Sequence, residues 1–369
     1  MRVLGFASVI LLGLAACGDD GGRSDPDAGE RPGSFDAQFD GGNEQCRGAD
    51  CTDLYVAAGG KGDTCTMAAP CGSIQKALDI RTADRNVIHV APGSYTESVV
   101  ITGGKPVTIL GEGADVKASG DTSTVVVRGD LAVKLVGLDI HGAKGDVIDP
   151  TEAKGIYCVI DGRAEPKLTL ERVTLRDNPG HGLKTSRCTI SIERSMIRNN
   201  GLGGIAMYGD AFTVRNTFIV DNGTRGELGS TGGFDIVVAP EPSGVFEFNT
   251  VANNHSGTAP ASGVYAGDSK ARFSSNLIVG NHSDLMNVGE VFGGTWDHTL
   301  LTGNKLPPSN PQSNALITDA MFKGGSDYHL VAGSPAIDKG GASAEVTVDY
   351  DGDARPAGNG RDIGADELP

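Results

Sequence analysis

The chain has 369 residues, of which 38% are hydrophobic, only 5% are aromatic and 55 are glycine. A formal net charge of −16 at pH 7 excludes nucleic acid and anionic membrane surfaces as electrostatic partners. It also disfavours polyanionic substrates, unless a local basic groove or a bound cation intervenes. Many glycines with few aromatics suit thin, stacked strands joined by tight turns.

Residues 1–17 read as a targeting segment. Arg2 supplies a minimal positive region, Val3 to Gly13 an apolar run, and Leu14-Ala15-Ala16-Cys17 a small-residue end. The run is too short to span a bilayer as a helix and has the form of a cleaved secretory signal. Its end resembles the lipobox of bacterial lipoproteins, which implies lipidation of Cys17 and membrane attachment through that lipid alone. Gly18, in place of an Asp after the cysteine, leans towards the outer membrane, at the cell surface or its periplasmic face. Residues 18–52 follow as an acidic, Gly/Asp-rich tether too polar to bury a core. Its first 28 residues, 18–45, span about 30 Å as a flexible chain.

From residue 53 the chain reads as one solenoid domain to residue 369, with a capping region from about 326. Ser73-Ile-Gln-Lys-Ala-Leu-Asp-Ile80 is the one convincing helical stretch. Ile74, Ala77, Leu78 and Ile80 lie on it so as to cover the open N-terminal end of the stack. Short β-rich runs bounded by Gly and Pro come next, at Val87–Tyr95, Val107–Leu110, Val125–Arg128 and Val133–Val136.

The middle of the chain repeats. Segments ending at Asn178, Asn200 and Asn222 are spaced by 22 residues, and the later gaps to Asn254 and Asn281 stretch to 32 and 27. Apolar residues alternate within each repeat (Leu168/Leu170, Val173/Leu175, Ile190/Ile192), which is the period of a strand. A leucine-rich repeat would instead need a helical half after the Asn, where Pro179-Gly180-His181-Gly182 stands. An all-β, parallel β-helix solenoid with an N-terminal capping helix is predicted. The asparagines then form a ladder in one turn, each amide bonding to the copies above and below, in the left-handed conformation that Asn tolerates.

Two stretches carry a resemblance. Tyr55-Val-Ala, Gly62-Asp-Thr-Cys65, Pro70-Cys-Gly-Ser-Ile-Gln-Lys-Ala-Leu78 and Ala91-Pro-Gly-Ser-Tyr95 resemble the N-terminal part of exported right-handed parallel β-helix proteins of the pectin-lyase-like superfamily. His329-Leu330, Gly333-Ser-Pro-Ala-Ile-Asp338, Asp351-Gly-Asp-Ala-Arg-Pro356 and Asp362-Ile-Gly-Ala365 are similar to the "choice-of-anchor Q" region of such proteins. The resemblance implies a right-handed helix and export more strongly than an activity.

Seven cysteines are present, and six remain once Cys17 is set aside (7 − 1). An even number in an exported chain favours disulfides. Cys46 with Cys51 and Cys65 with Cys71 are close enough to pair locally. Cys158 with Cys188 would join neighbouring coils, although their positions on the repeat differ. A zinc site is the competing reading, without Cys-x-x-Cys or histidines at ligand spacing to support it.

Three constellations bear on chemistry. Gly180-His181-Gly182 resembles the active-site Gly-His-Gly of polygalacturonases, but the paired acids those enzymes need are reduced to Asp161, so it reads as a turn with a surface histidine. Asp349-x-Asp351-x-Asp353 has the opening of a calcium loop without its downstream Glu; a fixed turn with Asp–Arg pairing is the main reading, calcium the minor one, and no other cofactor is expected. The third comes from aligning Gly155, Gly182, Gly204, Gly233 and Gly263, each followed by an apolar residue. The next position must then face outward, and that column reads Tyr157, Lys184, Ala206, Asp235, Tyr265. Two residues on lie Val159, Ser186, Tyr208, Val237 and Gly267.

Aromatics mixed with a cation and an anion on a flat sheet suit an extended sugar chain. Tyr157, Lys184, Tyr208, Asp235 and Tyr265 are the expected ligand-binding residues of a monomeric, non-catalytic binder of polysaccharide or envelope glycan. The alternative is a polysaccharide lyase or glycoside hydrolase, for which no complete catalytic set is visible.

Overall fold

A computed structural model describes residues 52–144, 153–209, 211–223, 230–236, 244–257, 261–267, 270–283, 289–302 and 313–368. Cys17, Cys46, Cys51 and Val237 lie outside the described residues. Each coil consists of three short strands, as in Gly203–Tyr208, Ala211–Arg215 and Phe218–Val220. Successive coils pair in parallel and in register on all three faces. The first face is an eight-stranded sheet running from Val99–Ile101 to Gly289–Phe292. The second and third faces merge into one sheet because Val107–Lys117 and Ala132–His141 run across both. The expected all-β parallel solenoid is the observed fold. Among the described residues no helix is long and apolar enough to cross a membrane.

The core lies inside the coils and follows the alternation. On the second face Leu168, Ile190 and Phe212 stack inward, and on the third Leu175, Ile197, Ile219, Val251, Ile278 and Leu301 do the same. Burying each such side chain contributes about 1.5–3 kcal/mol. Towards the C-terminal coils the interior becomes aromatic. Phe212, Phe234, Phe246, Phe273 and Trp296 pack in sequence with ring centroids 4.2–5.6 Å apart.

The asparagine ladder is continuous. The side-chain amide of Asn178 donates to Asn200 Oδ1 at 3.0 Å, Asn200 to Asn222, Asn222 to Asn254 and Asn254 to Asn281 at 2.9 Å each. Each accepting oxygen also takes the backbone N–H of the preceding asparagine. The second amide hydrogen of Asn200 meets Leu175 O at 3.1 Å, so a buried rung has no free donor. The left-handed residue is not the ladder asparagine, as the sequence suggested, but the one before it: Asp177, Asn199, Asp221 and Asn253, with φ of 53–55°. A second ladder runs along the other corner through Ser195, Thr217, Asn249 and Asn276. It too follows left-handed residues, Arg194, Asn216, Phe248 and Ser275.

The ends are finished differently. The helix Ile74–Ile80 covers the N-terminal coil with Ile74, Ala77 and Leu78 buried. Ser73 caps it, accepting from Lys76 N, and the Glu97 carboxylate takes the N–H groups of Ile74 and Gln75 at 2.8 and 3.0 Å. The described C-terminal residues, expected as a cap from about 326, lie along the flank of the third face instead. There Phe218, Val220, Ala252, Leu277, Val279 and Leu300 face outward and are covered by Ala320, Tyr328, Leu330, Ala336, Ile363 and Ala365. Polar contacts fasten this strap. Tyr328 donates to Asp221 and accepts from Asn253, Ala365 N donates to Thr250, and Asn216 donates to Val348 O.

Both pairs of described cysteines are bonded, Cys65 to Cys71 and Cys158 to Cys188, with Cα atoms 4.6 and 6.4 Å apart. The register objection to the second pair dissolves because Cys158 lies opposite Thr185, three residues before Cys188, at the point where the chain turns off the first face.

Replacing Asn200 by Ala leaves Asn178 without its acceptor and should lower unfolding free energy by about 1–3 kcal/mol. Urea titration of the variant against wild type reads this directly, and an unchanged midpoint would contradict a structural role for the ladder.

Candidate functional site

The first face sets the expected outward row in register. Tyr157 lies beside Lys184, Lys184 beside Ala206, Ala206 beside Asp235 and Asp235 beside Tyr265, one rung apart at about 4.8 Å. Tyr208 pairs with Ser186 in the neighbouring row. The glycine that opens each strand has a packing reason. At Gly182 a Cβ would sit 2.8 Å from the ladder amide of Asn200, so the ladder itself keeps this position bare.

Burial departs from expectation at three positions, one of them Ala206, which is fully buried in the outward row. Tyr157, Lys184, Tyr208 and Tyr265 are half-buried, but Asp235 keeps only 5% of its surface although its position faces outward. Burial pushes its carboxyl up to about 7. Among the described residues no N–H or O–H group donates to it and no cation pairs with it. Tyr208 nearby is raised by burial and by the Asp235 charge. His181, read from sequence as a surface residue, is also buried, with 4% exposure. Its side chain reaches past Gly203 to Thr231 Oγ1, with Nε2 3.1 Å away. A Cβ at Gly203 would lie 3.1 Å from its ring and 2.5 Å from Thr231 Oγ1.

The cations gather at the N-terminal half of the row. Lys154, fully buried, holds its ammonium 4.5 Å from the centroid of the Tyr157 ring, and Lys184 holds its own 5.6 Å from that of Tyr208. Desolvation, then the charges of Lys184 and Lys154, push His181 down to about 3, so the imidazole stays neutral. No carboxylate pairs with Lys184 among the described residues. The described residues therefore offer aromatic faces, two cations and one protonatable acid.

Lys154, His181 and Thr231 were not singled out as a group in the sequence. Lys154 precedes the aligned Gly155, and scanning the residue before each glycine would have raised it.

The C-terminal acids are structural. Asp349 accepts from Gly352 N, Asp353 N and Glu367 N, Asp351 lies 2.9 Å from His329 Nε2, and Asp353 is exposed, so the three carboxylates do not converge on a calcium position. In place of the expected Asp–Arg pairing, the buried Arg355 pairs with Glu367 at 3.3 Å and donates to the backbone carbonyls of Asp362 and Gly364. His329, Asp351 and Asp366 bring their ligating atoms within 4.8 Å of one another. The Asp351 and Asp327 carboxylates beside it hold the imidazole up to about 9, and as an imidazolium it is their ion-pair partner.

The family profile described as "right handed beta helix region" matches residues 154–319. A search of curated proteins finds no match. Among solved structures, the chain is similar to pectate lyase Pel9A, with a TM-score of 0.51 and 14% identity over 86% of this chain and 96% of the other. Looser superpositions, at TM-scores of 0.27 and 0.25, are found with the Dettilon tailspike protein (13% identity, 72% of this chain, 67% of that one) and with a mutant of the PL6 family alginate lyase AlyGC (12% identity, 79% and 57%). The profile and the first superposition show the fold, a right-handed parallel β-helix.

The Asp235 carboxyl makes a signed prediction. Between 3.8, the ordinary value, and about 7 the unfolded chain releases a proton that the native chain keeps. Native stability therefore falls with rising pH across that window, by about 1.4 kcal/mol per unit. Asp235→Asn removes this loss, so its melting temperature should gain more on wild type at pH 8 than at pH 5. An equal difference at both pH values would show an ordinary solvated carboxylate.

Proposed function

We propose that the first face binds an extended glycan lying along the solenoid axis, without cutting it. The observation that carries this is the in-register row Tyr157, Lys184, Ala206, Asp235, Tyr265, with Tyr208 beside it, on a parallel sheet. Tyrosine faces supply stacking surfaces, while Lys184 and Asp235 supply polar contacts at intervals of two rungs. A pectate lyase built on the same fold lends fold-level support only. The same reading takes Cys17 as a lipid anchor and residues 18–52 as a tether that lifts a monomeric domain off an outer membrane. It requires no cofactor, with calcium the minor alternative.

A second reading, polysaccharide cleavage by a lyase or hydrolase, is favoured by one observation: a carboxyl that holds its proton to about 7 is suited to proton transfer near neutral pH. Lys184 as a base would then work two rungs, about 10 Å, from Asp235.

A glycan array followed by calorimetry tests the binding reading. Affinity should rise with oligosaccharide length until about four coils are spanned. Tyr157→Ala and Tyr265→Ala should each weaken binding by about 1 kcal/mol. No ligand on the array, or binding indifferent to both substitutions, would overturn it. Product formation by wild type that is abolished in Lys184→Ala would favour cleavage. For the anchor, Cys17→Ser should release the protein from membranes; unchanged fractionation, with no acyl label on wild type, would contradict it.

A further inference from the structure

Asp235 is the candidate residue of the outward row to which the described residues supply no hydrogen-bond donor. It sits at an outward position of the strand Gly232–Ile236, beside the Ala206 methyl on one rung and Tyr265 on the next. Only 5% of it remains exposed, and none of the described groups donates to it. Buried carboxylates are otherwise met by hydrogen-bond donors or cations, because desolvation without a partner is strongly unfavourable. Lys184 does not fill this role: it is two rungs away and its ammonium rests over the Tyr208 ring.

We infer that Asp235 is the hydroxyl acceptor of this face: its carboxylate takes two adjacent hydroxyls of one uncharged sugar residue, and binding therefore releases a proton. This rests on the glycan reading above. A carboxylate offers two acceptor oxygens side by side, and a vicinal diol offers two donors in the matching arrangement. A carboxylate-bearing sugar is disfavoured at this rung, because it would bring a like charge against a poorly solvated one. A divalent cation is disfavoured because no second carboxylate joins Asp235 among the described residues.

The pH dependence follows from what faces the group. Its own strand carries no other titratable residue. The flanking strands present Tyr208 from Gly203–Tyr208 and Tyr265 from Ala261–Tyr265, and His181–Ser186, one strand further off, carries Lys184 and His181. His181 stays neutral above about 3 and Tyr208 is raised from 10.0, so neither changes charge between pH 5 and pH 8. Asp235, held up to about 7 by burial, does. Hydroxyl donors stabilise the anion, so the bound form gives its proton to the buffer. Affinity should then fall about tenfold per pH unit below 7, and roughly a hundredfold from pH 8 to pH 5.

The test uses the full mature protein with cellohexaose, xylohexaose and mannohexaose, all uncharged over this range, and hexagalacturonate as the charged comparison. Dissociation constants are measured from pH 5 to pH 8. Calorimetry at pH 7 in two buffers of different ionisation enthalpy counts the protons released. A neutral hexasaccharide should bind with the hundredfold pH dependence and release about half a proton at pH 7. Asp235→Asn should lose both the affinity and the pH dependence, whereas Tyr157→Ala should weaken binding but keep it. Binding of a neutral hexasaccharide that is equal at pH 5 and pH 8, with no proton release, would overturn the role of Asp235 and leave the glycan reading standing. Tighter binding of hexagalacturonate would overturn the choice of an uncharged sugar. No binding by any of the four would overturn both.

Discussion

The hydrogen bond from one asparagine amide to the next is the constraint on which this molecule depends. Coils of a parallel solenoid could slip past one another by a residue, and each slip would turn an inward side chain outward. The ladder prevents this because both amide hydrogens and the amide oxygen of Asn200 are already committed, to Asn222, Leu175 and Asn178. It also dictates its neighbours. The residue before each rung takes the left-handed turn, and the position facing the amide must be glycine, as at Gly182. With that glycine fixed, Leu183 points in and Lys184 points out, and the same holds coil after coil. The outward row is thus a consequence of the corner, not of any interaction within the row.

The three faces then diverge by what covers them. The second is laced with ion pairs, such as Glu247 held between Arg215 at 2.7 Å and Arg272 at 2.8 Å. The C-terminal half of the third is apolar and hidden under the strap, whose own shape is maintained by Arg355 and the backbone-binding carboxylates Asp349, Asp362 and Glu367. The first face carries aromatic, cationic and acidic side chains together. It is there that a buried acid, Asp235, has no donor among the described residues.

The fold and the row were legible in the sequence because both rest on local rules: strand alternation, the recurring asparagine, and a glycine followed by an apolar residue. The second ladder was not, because Ser195 and Thr217 occupy rungs where the eye searches for Asn; a hydroxyl oxygen accepts the same backbone N–H. The strap's docking face left a signal that alternation alone overlooks. Phe218-Ile219-Val220 and Leu277-Ile278-Val279 are apolar at every position, as a strand covered on both sides must be, whereas Thr174-Leu175-Arg176 alternates. The burial of Asp235 and His181 was not legible at all. Alternation tells which way a side chain points, but how much water reaches it depends on residues distant in sequence, such as Thr231 lying over His181 across the gap at Gly203.

What separates this face from ordinary solvated strand surface is therefore the state of one carboxyl. Tyrosines and a lysine in register are compatible with plain surface; a desolvated acid to which no described residue donates is not. Carbon-13 NMR titration of the side-chain carboxyl of Asp235 in the free protein, assigned by difference with Asp235→Asn, measures that state without any ligand. A midpoint near 7 is predicted. A midpoint near the ordinary 3.8 would show a solvated or already satisfied carboxylate, and the row would then be unexceptional surface.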